Sequence, residues 1–347
     1  MNLVRIALLV ALVAVVVGWY VFIPRRPSPA GPHAVGRMEL VLKDREGRPL
    51  QTTVWYPAEG PRAGSILVDA PLAGFGPAPL VLYSPGWGAT RSQSSIQLEN
   101  LASHGFVVVG CDSFAAIAAD DPDHGKSLEL ATDTELAETI ERGGRHVVRQ
   151  ASRIVAVLDA LADGQAPFAK GRLDLARVGV LGYSAGGGSA LQAGLEDPRI
   201  VAIINVDGAL FGPPADRIGP QAYFLISSQE AFPPESELKS ADPVVRNYAL
   251  LSVWDIPRNE RRMRQPGNYW VLFEDADHDD LSDGLFTLRR SRMFRTNFKR
   301  RAMNDAIGSF EVAFFRSTLT GDSSALKRLA GVGSPSFRWI NPASTTR

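Results

Sequence analysis

Residues 178–188 read Val-Gly-Val-Leu-Gly-Tyr-Ser-Ala-Gly-Gly-Gly. A short apolar run breaks into Gly-x-Ser-x-Gly and continues through Ser189 to Leu195, small and apolar residues that suit a helix. Strand, sharp turn, helix is the context in which a serine hydroxyl is pushed out of the backbone as a nucleophile. Gly182 and Gly186 let neighbouring backbone pass without a Cβ in the way. The N-terminus of the following helix lies behind Ser184 and favours the negative charge that develops in acyl transfer. The alternative is a glycine-rich loop holding an inert serine.

A serine nucleophile needs a base, and the base needs a carboxylate to orient it. The elbow resembles that of the α/β-hydrolases, which order these groups Ser, acid, His along the chain. The five histidines are His33, His104, His124, His146 and His278, and His278 alone follows Ser184. It sits after the apolar run Tyr269 to Phe273, where a base belongs, in an acidic loop with Asp275, Asp277, Asp279 and Asp280. The acid must follow a strand between Ser184 and His278. Asp207 ends the run Val201 to Val206, Glu230 follows the run Ala222 to Ile226, and Asp255 lies in a stretch with no clear period. All three are candidates, with Asp207 and Glu230 ahead.

An oxyanion needs two backbone N–H donors aimed at one point. Ala185, directly after the nucleophile, supplies one. The loop after Leu80 to Ser84 supplies the other: Gly86 and Gly88 flank Trp87, whose N–H is the candidate. The Trp87 indole is read equally as a wall for the acyl group or as a core residue. No spacing of His, Cys, Asp and Glu suits a metal, and the chemistry calls for no cofactor.

The elements that must hold these groups alternate. Met38 to Leu42 and Thr52 to Tyr56 predict an opening antiparallel pair. Short apolar runs at 80–84, 106–110, 178–183, 201–206, 222–226 and 269–273 predict strands buried on both faces. Ser94 to Ser103 and Arg145 to Leu161 predict helices between them, and Phe310 to Leu319 a closing helix. This pattern predicts an α/β fold with a mostly parallel central sheet and helices on both faces. In such sheets the chemistry collects at the carboxyl ends of the strands, where Trp87, Ser184, Asp207 and His278 all lie.

Four blocks carry a family resemblance. They are Tyr83 to Arg91 with Leu101 to Val108, Arg177 to Gly188, Asn205 to Phe211, and His278 to Asp283. Together they resemble the platelet-activating-factor acetylhydrolase-like branch of the α/β-hydrolases, over about Met38 to Leu319. Polyester and cutin hydrolases have a similar elbow. The resemblance implies a serine esterase acting on short-to-medium acyl esters, and it favours Asp207 as the acid. Pro85 stands where this branch has histidine, and Tyr183-Ser184-Ala185 where it has His-Ser-Phe. A phospholipid substrate therefore does not carry over. A hydrolase fold without activity, serving as a binding module at a membrane, is the contrasting expectation.

The chain has 347 residues, 45% of them hydrophobic, with 37 basic and 37 acidic side chains. A net charge of zero offers nothing for a nucleic-acid partner. Cys111 is the single cysteine, so no intrachain disulfide forms. Ile6 to Ile23 carries no charge and nearly matches the roughly 30 Å hydrocarbon core of a bilayer. Residues 1–26 are therefore expected to act as an uncleaved membrane anchor, or alternatively as a signal removed on export, with the catalytic domain exported in either case. Residues 27–36 read as a linker, 37–320 as the catalytic domain and 321–347 as a polar tail.

Overall fold

A computed structural model describes residues 3–340 apart from 63, 75, 115–122, 127, 167, 169–170, 289–294, 331 and 335; for residues 3–9 and 14 it describes backbone only. Residues 1–2 and 341–347, parts of the expected N-terminal segment and C-terminal tail, lie outside the described residues.

The sheet forms from β1 (Ala34–Lys43), β2 (Pro49–Ala58), β3 (Leu67–Val68), β4 (Ala78–Ser84), β5 (Val107–Cys111), β6 (Leu173–Tyr183), β7 (Ile200–Val206), β8 (Ala222–Ser228), β9 (Tyr269–Phe273) and β10 (Arg338–Trp339). Its strand order is β10-β9-β8-β7-β6-β4-β5-β2-β1-β3. From β5 through β4 and β6 to β9 every pairing is parallel. β1 and β2 pair antiparallel, with Met38 opposite Val54, and β2 joins β5 antiparallel.

Alternation along each strand sends neighbouring residues to opposite faces. Leu80, Leu82, Val178, Val180 and Ile203 pack on one side with Ile154, Val157 and Leu158 of the long helix α3 (Asp133–Ala162, after α1 Leu3–Phe22 and α2 Ser95–Ser103). Val81, Tyr83, Leu181, Ile204 and Phe224 pack on the other side with Leu98 and Leu101 of α2 and with Phe310 and Phe314 of a later helix. Burial on both faces explains why the central runs are continuously apolar. α3 starts twelve residues before the expected Arg145. Its polar first turns are held by a capping box in which Thr132 and Glu135 exchange bonds, ahead of the apolar stripe.

After α4 (Ala185–Glu196) and a one-turn α5 (Glu235–Leu238), the stretch around Asp255 forms α6 (Pro243–Met263). Pro257 inside it masked the helical period, while Asp242 as N-cap and Pro243 at the first position mark its start. The closing helix α7 (Asn297–Phe315) begins earlier than expected and ends in a π-turn over Arg316–Thr320.

Within residues 27–36 the Gly31 N–H donates to Ser103 Oγ at 2.9 Å and the His33 N–H to the Ser103 carbonyl at 3.0 Å. A Cβ on Gly31 would lie 2.1 Å from the Ser103 carbonyl oxygen, so glycine permits this approach. After Gly321 the chain forms α8 (Ser324–Ala330) and then β10, which adds antiparallel to β9, with Leu326, Phe337 and Trp339 as apolar anchors among polar neighbours.

α1 is a continuous 20-residue helix. Among the described residues no helix is long and apolar enough to cross a membrane, so the expected spanning anchor finds no support there.

Candidate active site

Ser184 occupies the single residue between β6 and α4. Its backbone stands at φ 54° and ψ −131°, a strained conformation for a side chain with a Cβ. Among the described residues three non-glycine residues have positive φ, and two of them are Ser184 and Asp207. Bonds from the Ser184 N–H to the Val206 carbonyl and from the Gly187 N–H to the Ser184 carbonyl, both 2.8 Å, hold the turn. A Cβ on Gly186 would lie 2.1 Å from the Ser84 carbonyl oxygen, and one on Gly182 2.2 Å from that of Gly186. Both positions exclude any other residue without backbone movement. The Ser184 side chain makes no capping bond to α4 and borders a cavity.

His278 borders the same cavity, in a 3₁₀ turn that follows β9. Its Nδ1 lies 2.8 Å from Asp207 Oδ2. Asp207, directly after β7, is itself fixed: Oδ1 accepts from the Ser228 N–H at 2.8 Å, and Oδ2 from Ser228 Oγ at 2.7 Å. A carboxylate on Nδ1 selects the tautomer that leaves Nε2 free to accept a proton. Burial opposes the charged imidazolium. The Asp207 bond and the charges of Asp207, Glu230 and Asp279 outweigh it and hold His278 above the usual imidazole range.

The competing carboxylates border the same cavity but bond to other groups than the imidazole ring. Glu230 Oε1 accepts from the His278 backbone N–H at 3.1 Å, and Oε2 from the Tyr248 hydroxyl at 2.6 Å. Glu230 thus holds the loop that carries the base and not its ring. The Tyr183 hydroxyl donates to the His278 carbonyl at 3.0 Å from the other side. Asp255, on α6, accepts from the Leu210 N–H.

The loop after β4 lies against the nucleophile. A Cβ on Gly86 would come within 3.2 Å of Ser184 Cβ. The Gly86 N–H is taken by Gln93 Oε1 at 2.8 Å and the Gly88 N–H by Ser113 Oγ at 3.2 Å. The Trp87 N–H between them has no partner among the described residues. The Ala185 N–H opens α4 and has no acceptor within the helix. The Trp87 indole borders the cavity and stacks on His146, with ring centroids 4.7 Å apart. It is therefore a wall residue.

Sequence reasoning did not find Ser228, Gln93 or Tyr248. Ser228 follows the apolar run of β8 directly and was open to notice. Gln93 and Tyr248 reach the site only through the folding of a loop and of α6. Among the described residues no group of His, Cys, Asp and Glu could hold a metal ion.

No family model matches the chain. Cutinase 1 of Thermobifida cellulosilytica is 26% identical over 152 residues, which is 44% of this chain and 42% of the cutinase. Platelet-activating factor acetylhydrolase of Cavia porcellus is 31% identical over 44% of this chain and 40% of its own length. The chain thus spans less than half the length of these relatives. A ferulic acid esterase from Streptomyces cinnamoneus superposes with a TM-score of 0.66 over 90% of this chain and 98% of the esterase, at 22% identity.

Proposed function

We propose that this chain, an α/β-hydrolase by fold and related in sequence to cutinases and to a platelet-activating factor acetylhydrolase, is a serine carboxylic ester hydrolase. The observation that carries the reading is the 2.8 Å contact of His278 Nδ1 with an Asp207 carboxylate fixed at both oxygens, beside a strained Ser184 on the same cavity. In the proposed reaction His278 Nε2 takes the Ser184 Oγ proton as Oγ bonds to the ester carbonyl carbon. The Trp87 and Ala185 N–H groups receive the oxyanion. Collapse breaks the bond to the alcohol, which leaves with the proton from His278. Water, deprotonated by the same imidazole, then cleaves the acyl-enzyme and releases the acid. Asp207 stabilises the imidazolium at both stages.

Residues 37–320 form the proposed catalytic domain. A cavity of about 190 Å³ supports short-to-medium acyl esters. The partial likeness to cutinases keeps polyester and lipid esters within the same reading. The uncharged Ile6 to Ile23 run supports a role for residues 1–26 as a signal removed on export. N-terminal sequencing of the mature protein tests this: an intact N-terminus would overturn it.

A fluorophosphonate probe tests the enzymatic reading. Stoichiometric labelling at Ser184, lost in Ser184→Ala together with hydrolysis of 4-nitrophenyl butyrate, is expected. Absence of labelling in the intact protein would leave an inactive hydrolase fold used for binding.

A further inference from the structure

One wall of the cavity is a single face of α6. Tyr248, Leu251, Ser252, Asp255, Ile256 and Asn259 border it, and their spacing of three and four residues is one helical stripe. The acyl-transfer chemistry makes no use of two polar groups in this stripe, Asp255 and Asn259. Asp255 accepts from one backbone donor, the Leu210 N–H, at 3.2 Å to Oδ1 and 3.0 Å to Oδ2. A carboxyl group has more lone pairs than one N–H can fill. Asn259, one turn on, is buried and turns its Oδ1 to the Tyr223 hydroxyl at 3.1 Å. Its Nδ2 has no hydrogen-bond partner among the described residues.

The cavity thus offers an acceptor and a donor one helical turn apart, beside apolar surface from Leu225, Phe211 and Trp270. A plain alkyl chain would cover both polar groups and leave them unpaired, which is unfavourable for each. A hydroxyl is donor and acceptor at once and satisfies both. Burial pushes the Asp255 carboxyl up to about 7, against the lowering effect of the Leu210 bond and of Arg258 and Arg262. Such a carboxyl accepts from a hydroxyl in either protonation state.

We propose that Asp255 and Asn259 form a subsite for a hydroxyl group on the half of the ester lodged in the cavity, so that hydroxy-substituted esters are preferred to plain alkyl esters. The proposal rests on the ester-hydrolase reading and names its substrate class.

Matched substrates test it on the full chain. For the acyl half, 4-nitrophenyl 6-hydroxyhexanoate is compared with 4-nitrophenyl heptanoate, in which a methyl replaces the hydroxyl. For the alcohol half, the monobutyrate of hexane-1,6-diol is compared with heptyl butyrate. In one of the halves the hydroxylated member should have a kcat/KM higher by about tenfold or more. Asp255→Leu should abolish or invert that preference. If Asp255→Leu does not fold, Asp255→Asn, which keeps an oxygen for the Leu210 N–H, should reduce it. Equal kcat/KM within both pairs, or a preference unchanged in the variant, overturns the proposal. Fluorophosphonate labelling of Ser184 in the same preparation separates the two readings: labelling without hydroxyl preference sinks the subsite alone, and no labelling sinks the hydrolase with it.

Discussion

Ser228 holds Asp207 from two sides. Its N–H donates to Oδ1 at 2.8 Å, and its hydroxyl donates at 2.7 Å to Oδ2, the oxygen that also faces His278. β8 therefore fixes the carboxylate although the carboxylate itself ends β7. The hydroxyl makes a bond to a charged group in a partly buried site, where such bonds count for about 1.5–3 kcal/mol. Ser228→Ala should lower kcat by about tenfold or somewhat more with little change in KM, because substrate does not touch Ser228. An unchanged kcat would mean that the backbone N–H alone positions Asp207.

Asp207 and Glu230 predict different pH profiles. His278 must be neutral to accept the Ser184 proton, so kcat/KM should rise with pH through a midpoint above the usual imidazole value, in the direction that its neighbours push it. Asp207→Asn removes both the Nδ1 bond and the nearest charge. It should cost on the order of 10⁴ in turnover and move the midpoint of the residual activity down. Glu230→Gln removes one facing charge and leaves the Nδ1 bond. Its midpoint should also fall, but with a far smaller loss of rate. The reverse ranking of the two losses would make Glu230 the acid.

The difference between these two carboxylates shows what the sequence conveyed and what it did not. Asp207 and Glu230 both follow apolar runs, and only the depth at which β7 and β8 end decides which one reaches the imidazole. The elbow was legible because Gly182, Ser184 and Gly186 answer a local backbone demand. The central strands were legible because burial on both faces keeps the runs apolar almost throughout, Asn205 of β7 being a buried polar exception. α6 was not, because Pro257 interrupts the period and the helix turns polar as well as apolar residues toward the cavity. The docking of residues 27–36 depends on Ser103 and on Asn100, whose Oδ1 accepts from the Ala30 N–H at 3.2 Å, some seventy residues away, and no local pattern encodes it.

Glu311 predicts a stability change remote from the site. It lies fully buried on α7, and neither carboxyl oxygen has a hydrogen-bond partner among the described residues. Burial pushes its pKa up to about 8. A raised carboxyl pKa means that the folded state holds a proton which the unfolded state releases, so this group lowers stability as pH climbs from about 4.5 to about 8. The full effect is on the order of 5 kcal/mol. Glu311→Gln removes the titration. The variant should gain stability over the native chain progressively across that window and little below it, as followed by urea denaturation at pH 5 and pH 8. A constant difference between the two chains at both pH values would show that Glu311 is not protonated in the fold.

Arg26 decides where the N-terminal segment can be cut. Its guanidinium pairs with Glu99 at 2.7 Å and with Asp283 at 3.4 Å. Asp283 in turn accepts from the Ser95 hydroxyl and the Ile96 N–H at the start of α2, five residues past His278 in the chain. Arg26 therefore joins the end of the apolar segment to α2 and to the loop that carries the base. The Arg26 side chain is about half exposed, so solvent weakens these pairs, but Glu99 is nearly covered and loses its charged partner when Arg26 is removed. A chain starting at Arg26 should keep its activity and lose only the contacts of the preceding residues, such as the Asn297 Nδ2 bonds to the Tyr20 and Ile23 carbonyls. A chain starting at Pro27 should melt about 2–4 °C lower, as expected for a loss near 1 kcal/mol in a domain of this size, and Arg26→Ala in the longer chain should reproduce that shift. Equal melting of the two truncations, measured by calorimetry at low and at physiological salt, would mean that the ion pairs are surface contacts without consequence. A shift that shrinks as salt rises would support the pairing, because screening acts on its exposed half.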